Sequence, residues 1–414
     1  MLALIRTAGP VRRFLLTALT SSIGNGVGYV ALLLLAYDKF RSPWAVSLVL
    51  LADFLPAIVL APLFGALADR HSRRTIVVSA DLLRCSALVG LAFADPFELI
   101  VLLALLVGLG TALHHPASRS ALAGLAGRRA DNAMGALVTV WSAASVLGPA
   151  LGAVLLLGVS PSSLLLVNAA TFLVSAVLLS RLPLDRAPVG PSAVASSDNV
   201  NLAIAAGELV TAHEEAAIGH GVHAGLRAAR AVGGLGAVVG VGVSATLAFS
   251  LMNVAEPLLA IDELDAGNAG FALLVCVYGI GSTIGAVRGR AELRVLAGCL
   301  AGGGLSLIAS ALVLTLPTAA LTFLLTGLFA GGVMSTDHQL VTRMAPEAIR
   351  GRVFGLKDSL DAIAFCTAFA VGGLLGSLVG SRVVFAVAGC GALVVAAAAA
   401  VALRRVEVPV ADED

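Results

Sequence analysis

Long apolar runs alternate with short polar breaks along most of the chain. The runs fall at about 13–37, 44–67, 75–94, 97–118, 133–158 and 162–182, and again at about 235–258, 269–288, 295–315, 318–342, 356–379 and 382–403. Each is near the roughly 20 apolar residues that an α-helix needs to cross the hydrocarbon core of a bilayer. The pattern predicts an all-α membrane protein with twelve spanning helices, six on each side of one long polar segment, residues 183–232. Domain limits follow from it: an N-terminal six-helix bundle over 1–182, a linker over 183–232, a C-terminal six-helix bundle over 233–405 and a tail over 406–414. The first apolar run is read as a span and not as a cleavable signal, since no small-residue cleavage site precedes a polar mature start.

Composition agrees with this reading. Of the 414 residues, 59% are hydrophobic and 12% charged, and the mean hydropathy is +1.00, far from the balance of soluble domains. A net charge of +1 gives no basis for a nucleic-acid partner, so the partners expected are the lipid bilayer, a small-molecule substrate and protons, with the chain acting as a monomer. The 45 glycines suit helices that approach closely in lipid, where packing and not water exclusion drives association. Cys85, Cys276, Cys299, Cys366 and Cys390 fall inside spans without paired spacing and are read as small apolar residues.

Basic residues set the orientation, because cytoplasmic loops are enriched in them. With the N-terminus inside, the 26 lysines and arginines fall almost entirely on that side. Lys39, Arg41 and Arg382 lie outside, and Arg84 lies within a span. The loop carrying Asp262, Glu263 and Asp265 belongs outside. The expectation is a multi-pass protein of the inner (plasma) membrane with both termini cytoplasmic. Within the linker, His213, Glu214, Glu215, His220 and His223 carry ligand chemistry, yet their spacing matches no metal motif, and no metal site or cofactor is expected.

The densest charge in the first half is the loop Gly65-Ala-Leu-Ala-Asp69-Arg70-His-Ser-Arg73-Arg74. Gly65, Arg70 and Arg74 recur as Gly285, Arg290 and Arg294 at an offset of 220, and Gly135 recurs as Gly355, while Gly289 stands where Asp69 would repeat. A parallel repeat of six spans accounts for this. The loop resembles the signature loop of the major facilitator superfamily, with Ser72 in place of the usual glycine. Within that family, Asp81-Leu-Leu-Arg84 and Pro346-Glu-Ala-Ile-Arg350-Gly-Arg-Val353 are similar to segments of bacterial drug and siderophore exporters. The resemblance implies two six-helix bundles related by a pseudo-two-fold axis. It also implies that Asp69 caps the start of the eleventh span near Val353 as a cytoplasmic latch, with Gly65, Arg70, Arg73 and Arg74 completing the gating loop. A positive-inside anchor explains the arginines but not the acid.

In the fifth span, Ala144, Gly148, Pro149, Gly152 and Ala153 resemble the family's antiporter motif with two glycines replaced. Gly148, Pro149 and Gly152 serve equally as a packing motif, since small residues permit close approach and proline permits a bend. Ionisable groups inside spans are costly and therefore informative. Asp53 and Arg84 each lie roughly 14 Å deep at about 1.5 Å per residue, and an ion pair between them is the first reading. Asp81, three residues before Arg84, competes for it. With Glu256 and Asp337 these make up the proton-coupling candidates.

The cavity candidates are Asn25 and Tyr29, one turn apart in the first span, with His114, His115, Asn253, Asp337 and His338. Histidine changes charge near neutral pH and a carboxylate beside it tunes that change. Glu256 precedes Pro257 and is read as near the outer end of span seven. Asp358 and Asp361 are read as acids at the start of span eleven. Unlike many proton antiporters of the superfamily, the chain has no arginine deep in its fourth span, only Arg119 at its end. The phosphate-loop motif is absent, as is any nucleophile, base and oxyanion set, so an enzyme is not expected. The reading is a secondary active transporter exporting a small amphipathic or hydrophobic molecule by proton antiport. Facilitative or proton-coupled import stays open, as does a lipid translocator or non-transporting sensor of the same fold.

Overall fold

A computed structural model of the chain describes residues 9–60, 71–185, 226–227, 229–230 and 232–402. Twelve long helical stretches run in order through these residues: α1 (Gly9–Phe40), α2 (Pro43–Val59), α3 (Arg73–Phe93), α4 (Phe97–Ala126), α5 (Ala130–Leu156), α6 (Pro161–Ser180), α7 (Leu235–Glu263), α8 (Gly267–Arg288), α9 (Leu293–Ala311), α10 (Leu316–Met344), α11 (Glu347–Val379) and α12 (Ser381–Ala402). Among the described residues ten of them, all but α2 and α5, contain a stretch long and apolar enough to cross a membrane.

Several helix starts are written locally. Ser42 accepts from the Ala45 amide with Pro43 at the first helical position, and Ser160 accepts from Ser163 ahead of Pro161 in the same way, the arrangement that satisfies otherwise orphaned amides. At α3 the cap is doubled. Ser72 accepts from the Thr75 amide, while Asp185, just past α6, accepts from the Ser72 hydroxyl at 2.9 Å and the Arg74 amide at 3.1 Å. The acid on this helix start is therefore Asp185. Gly65, Asp69 and Arg70 of the expected latch lie outside the described residues, whereas Arg73 and Arg74 open α3.

Boundaries differ from the sequence expectation at spans four, seven and eleven, and each difference moves charged residues inward. In span four, α4 runs on to Ala126, not about 118, so Arg119 lies inside it and not at its end. Span seven does not end near Pro257. Its backbone loses one regular hydrogen bond there and widens into a π-helical turn over Leu258–Glu263, an accommodation that keeps the helix going past a proline. Span eleven begins at Glu347, not near 356, so Lys357 and Asp361 lie well inside it.

The two sets of six pack alike. In the first, α1 lies on α5 and α6, α3 on α4 and α6, and α2 on α4; in the second, α7 lies on α11 and α12, α9 on α10 and α12, and α8 on α10. The sets meet along two seams, α2 with α11 and α5 with α8, which exchange under the same six-helix shift. This is the pseudo-two-fold relation between two six-helix bundles.

Glycine makes the tightest crossings possible. A Cβ on Gly281 or Gly285 would come within 2.1 or 1.8 Å of α10 carbonyls, and one on Gly327 or Gly331 within 2.0 Å of α8 carbonyls, so α8 and α10 interlock backbone to backbone. Gly289, at the position equivalent to Asp69, faces α10 as well. A Cβ there would sit 2.6 Å from the Ser335 side chain, and its carbonyl accepts from Gln339 at 3.2 Å. The second copy of the loop has no room for an acid at that place.

Candidate functional site

The N-terminal bundle encloses a cavity of about 290 Å³. Two small residues on α4 shape one wall. A Cβ on Gly108 would lie 2.1 Å from the Asp53 carbonyl, and one on Gly110 would lie 2.5 Å from Arg84 Cγ, so each glycine admits a charged residue of a neighbouring helix. On the opposite side α1 leaves room for Asn168 of α6, which is buried and whose amide nitrogen would lie 2.2 Å from a Cβ on Gly28.

Charge inside this cavity is unevenly paired. Arg84 forms its ion pair with Asp81, three residues earlier on α3, and its guanidinium carbon lies 4.0 Å from the centre of the Phe172 ring. His114 Nδ1 stands 3.1 Å from Asp81 Oδ1, the same oxygen that Arg84 reaches. The expected pairing of Arg84 with Asp53 is not the one formed. Spacing of three residues on one helix brings Asp81 to the guanidinium without any inter-helix register. Asp53 lines the same cavity and, among the described residues, has no hydrogen-bond or ion-pair partner.

Asn25, Tyr29, His114 and His115 all line the cavity. The His115 ring lies 5.2 Å from Trp141, over which Arg119 packs at 5.0 Å. Gly148 and Gly152 seat α5 on α1, where a Cβ would come within 2.8 Å of Gly26 Cα and 3.0 Å of Val27 Cα, and Pro149 borders the cavity.

The C-terminal bundle holds a second, separate cluster. Lys357 Nζ lies 3.0 Å from Asp337 and 2.5 Å from Asp361, and the Thr246 hydroxyl donates to Asp361 at 2.8 Å. Gly242 on α7 receives Asp337, whose carboxylate oxygens would lie 2.6 and 2.7 Å from a Cβ there. Asp361 is thus a partner of a buried lysine, not a helix-start acid. His338 points the other way, exposed, with Nδ1 3.1 Å from the Met334 carbonyl and its ring stacked on Phe354. The adjacent Asp337 is buried.

Between the bundles, Glu256 is 6% exposed and among the described residues lacks any hydrogen-bond or ion-pair partner. It is a mid-helix acid and does not terminate α7. Asn253, three residues earlier, donates to the Ser250 carbonyl of its own helix at 3.1 Å. Nearby, Phe54 of α2 stacks on Phe365 of α11 with ring centres 6.3 Å apart and meets Phe369 edge-on at 5.5 Å.

Polar contacts that join the bundles gather toward the α1–α2 end. The Tyr37 hydroxyl donates to Asp262, Arg41 reaches the same carboxylate at 3.6 Å, and Asn268 donates to Asp38 at 3.0 Å. Deeper in the seam, the Ser47 hydroxyl donates to the Phe369 carbonyl at 2.7 Å, and Gly373 gives it room.

Comparison with known proteins decides what kind of molecule this is. Residues 14–291 match the Major Facilitator Superfamily model. The chain belongs to that superfamily. It is a membrane transporter of this class, 26% identical over 386 residues to the uncharacterized MFS-type transporter YfiS of Bacillus subtilis, covering 89% of this chain and 87% of that one. It is similar to the multidrug efflux pump Tap of Mycolicibacterium fortuitum, at 25% identity with 91% of each chain covered. A shorter stretch of 102 residues is 30% identical to macrolide efflux protein A of Streptococcus pyogenes, covering 23% of this chain and 25% of that protein. Among solved structures, an auto-inhibited peptide transporter of the POT family superposes with a TM-score of 0.73 at 13% identity, covering 98% of this chain and 99% of that one. The likeness places the fold of this superfamily member.

Lys357, Tyr278, Asn168 and Phe172 were missed by sequence reasoning. Lys357 was counted with the cytoplasmic basic residues because span eleven was started nine residues late.

Proposed function

We propose that this transporter exports a small amphipathic or hydrophobic molecule by proton antiport, with its two bundles rocking about the seams in alternating access. The observation that carries the reading is a pair of carboxylates without a partner among the described residues, on the two bundles: Glu256, which is buried, and Asp53, which is half-buried and lines the cavity. A carboxylate held in apolar surroundings without a cation is costly when charged, and binding a proton or a substrate relieves that cost. The printed functions of the relatives, multidrug and macrolide efflux, favour export. Asp337, tied to Lys357, is a second coupling candidate in the other bundle.

In this reading the α1–α2 end faces outward and is the closed end, the termini are cytoplasmic, and the protein works as a monomer in the plasma membrane. Asp69 and its arginines act at the opposite end as the latch of the outward-open state. The test is uptake of a panel of fluorescent amphipathic compounds into everted vesicles. Accumulation that stops when the pH gradient is collapsed is expected. Accumulation that ignores the collapse overturns proton antiport.

A further inference from the structure

Four ionisable side chains on three helices gather at the cavity of the N-terminal bundle, and two of them compete for one carboxylate oxygen. Arg84 forms its ion pair at Asp81 Oδ1, and His114 Nδ1 stands 3.1 Å from that same oxygen without completing a hydrogen bond to it. Asp81 Oδ2 and Arg84 Nε are both buried with no hydrogen-bond partner among the described residues, so each has capacity for a second arrangement. Asp53 of α2 lines the cavity that Arg84 and His114 also line. The other titratable side chains of that lining are Tyr29 on α1 and His115 beside His114, while α5 and α6 bring none. Arg119, further along α4, is turned onto Trp141.

We propose that Asp53, Asp81, Arg84 and His114 form a unit that holds one proton, and that Arg84 trades Asp81 for Asp53 when the proton passes from Asp53 to His114. The proposal rests on the proton-antiport reading and names the residues that carry the proton within the N-terminal bundle. In the arrangement seen, Asp53 is the neutral acid, Arg84 neutralises Asp81 and His114 is uncharged. In the other, the Asp53 O–H bond breaks and an N–H bond forms at the unprotonated ring nitrogen of His114. The imidazolium then takes Asp81, and the guanidinium goes to the Asp53 carboxylate. Every ion has a counter-ion in both arrangements, as burial away from water requires. With no proton, two carboxylates share one guanidinium; with two, Asp81 faces two cations. The cavity, about 290 Å³, has room for water to relay the proton, at about 30 Å³ per molecule. Arg84 is thus a positioning residue, set by where the proton resides.

The experiment is infrared spectroscopy of the full chain in lipid nanodiscs at neutral pH, reading the C=O stretch of protonated carboxyl groups. The parent should show a band that Asp53→Asn removes. Asp81→Asn, which frees Arg84 for Asp53, and His114→Lys, which sets a fixed cation beside Asp81, should each remove the same band, while His114→Gln keeps it. Melting temperature gives a second readout that needs no band. Asp53→Asn and Asp81→Asn combined should lower it by more than the sum of the single changes, because only the double variant strands the guanidinium. A parent without an Asp53-dependent band, a band that survives Asp81→Asn or His114→Lys, an Asp81→Asn protein that does not fold, or additive melting shifts would each overturn the proposal. Neither readout uses a gradient or a substrate. Their failure leaves proton-driven export through Glu256 or Asp337 standing, and flux in vesicles that ignores collapse of the gradient leaves the four-residue unit standing.

Discussion

The ammonium of Lys357 lies 3.0 Å from the Asp337 carboxylate with both side chains almost wholly buried. Burying two charges costs several kcal/mol per ion, and removing one partner of such a pair strands the other. Lys357→Met should destabilise the C-terminal bundle by about 3–5 kcal/mol. Adding Asp337→Asn should recover part of that loss, while Asp361 keeps the remaining charge. Thermal denaturation of the purified variants, followed by loss of monodisperse protein, measures both effects. A single variant as stable as the parent would show that the cluster is not a structural pairing.

At the other end of the molecule, Tyr37 and Arg41 converge on Asp262 across the bundle boundary. A hydrogen bond to a charged group contributes about 1.5–3 kcal/mol, so Tyr37→Phe should raise the population open at that end about tenfold or more. The reporter is Ser47→Cys, at a seam residue with no exposed surface, in a background lacking the five native cysteines. Its maleimide labelling from outside should speed up accordingly. An unchanged rate would mean that the contact does not hold the seam shut.

Gly285→Leu should prevent the C-terminal bundle from assembling, since even a Cβ there lies 1.8 Å from the Leu328 carbonyl. Gly298→Leu, at a position where nothing lies within 4 Å, should be tolerated despite being the same substitution one helix later. Yield of folded protein in membranes distinguishes them. Equal yields would contradict the close α8–α10 crossing.

For the signature loop, Asp69→Asn should reduce transport several-fold while membrane insertion and yield are unaltered. Flux in vesicles normalised to inserted protein is the measurement, and normal flux would remove the latch from the mechanism.

The twelve spans were legible because a bilayer-length apolar run is a stronger signal than any single residue. The bounds of α3, α6 and α8 fall within a few residues of their sequence expectation. Where the chain carries its own charge through the membrane the signal fails. Pro257 was read as a stop because its missing amide ends most helices, but a π-helical turn absorbs the defect and α7 continues to Glu263. Glu256 was therefore placed near the surface, and Lys357 with the cytoplasmic cations, by the same hydropathy rule that found the spans. Pairing was legible only in part: the i,i+3 spacing marks Asp81 as a competitor for Arg84 although the first reading pairs Arg84 with Asp53, and Lys357 with Asp337 depends on how α10 and α11 face each other, which periodicity does not encode. The openings that admit Asp53 and Arg84 against α4 depend on Gly108 and Gly110, indistinguishable in sequence from the other glycines until the neighbouring helices are placed.

The exchange of the two seams under the six-helix shift has a mechanical corollary. In the rocking proposed above, the α2–α11 and α5–α8 seams stand in equivalent places, so connectivity alone does not set one apart from the other. A difference between the halves must come from what they do not share: an aspartate in the sequence of one loop where the other has a glycine squeezed against Ser335, and a buried guanidinium on α3 in one and a buried ammonium on α11 in the other.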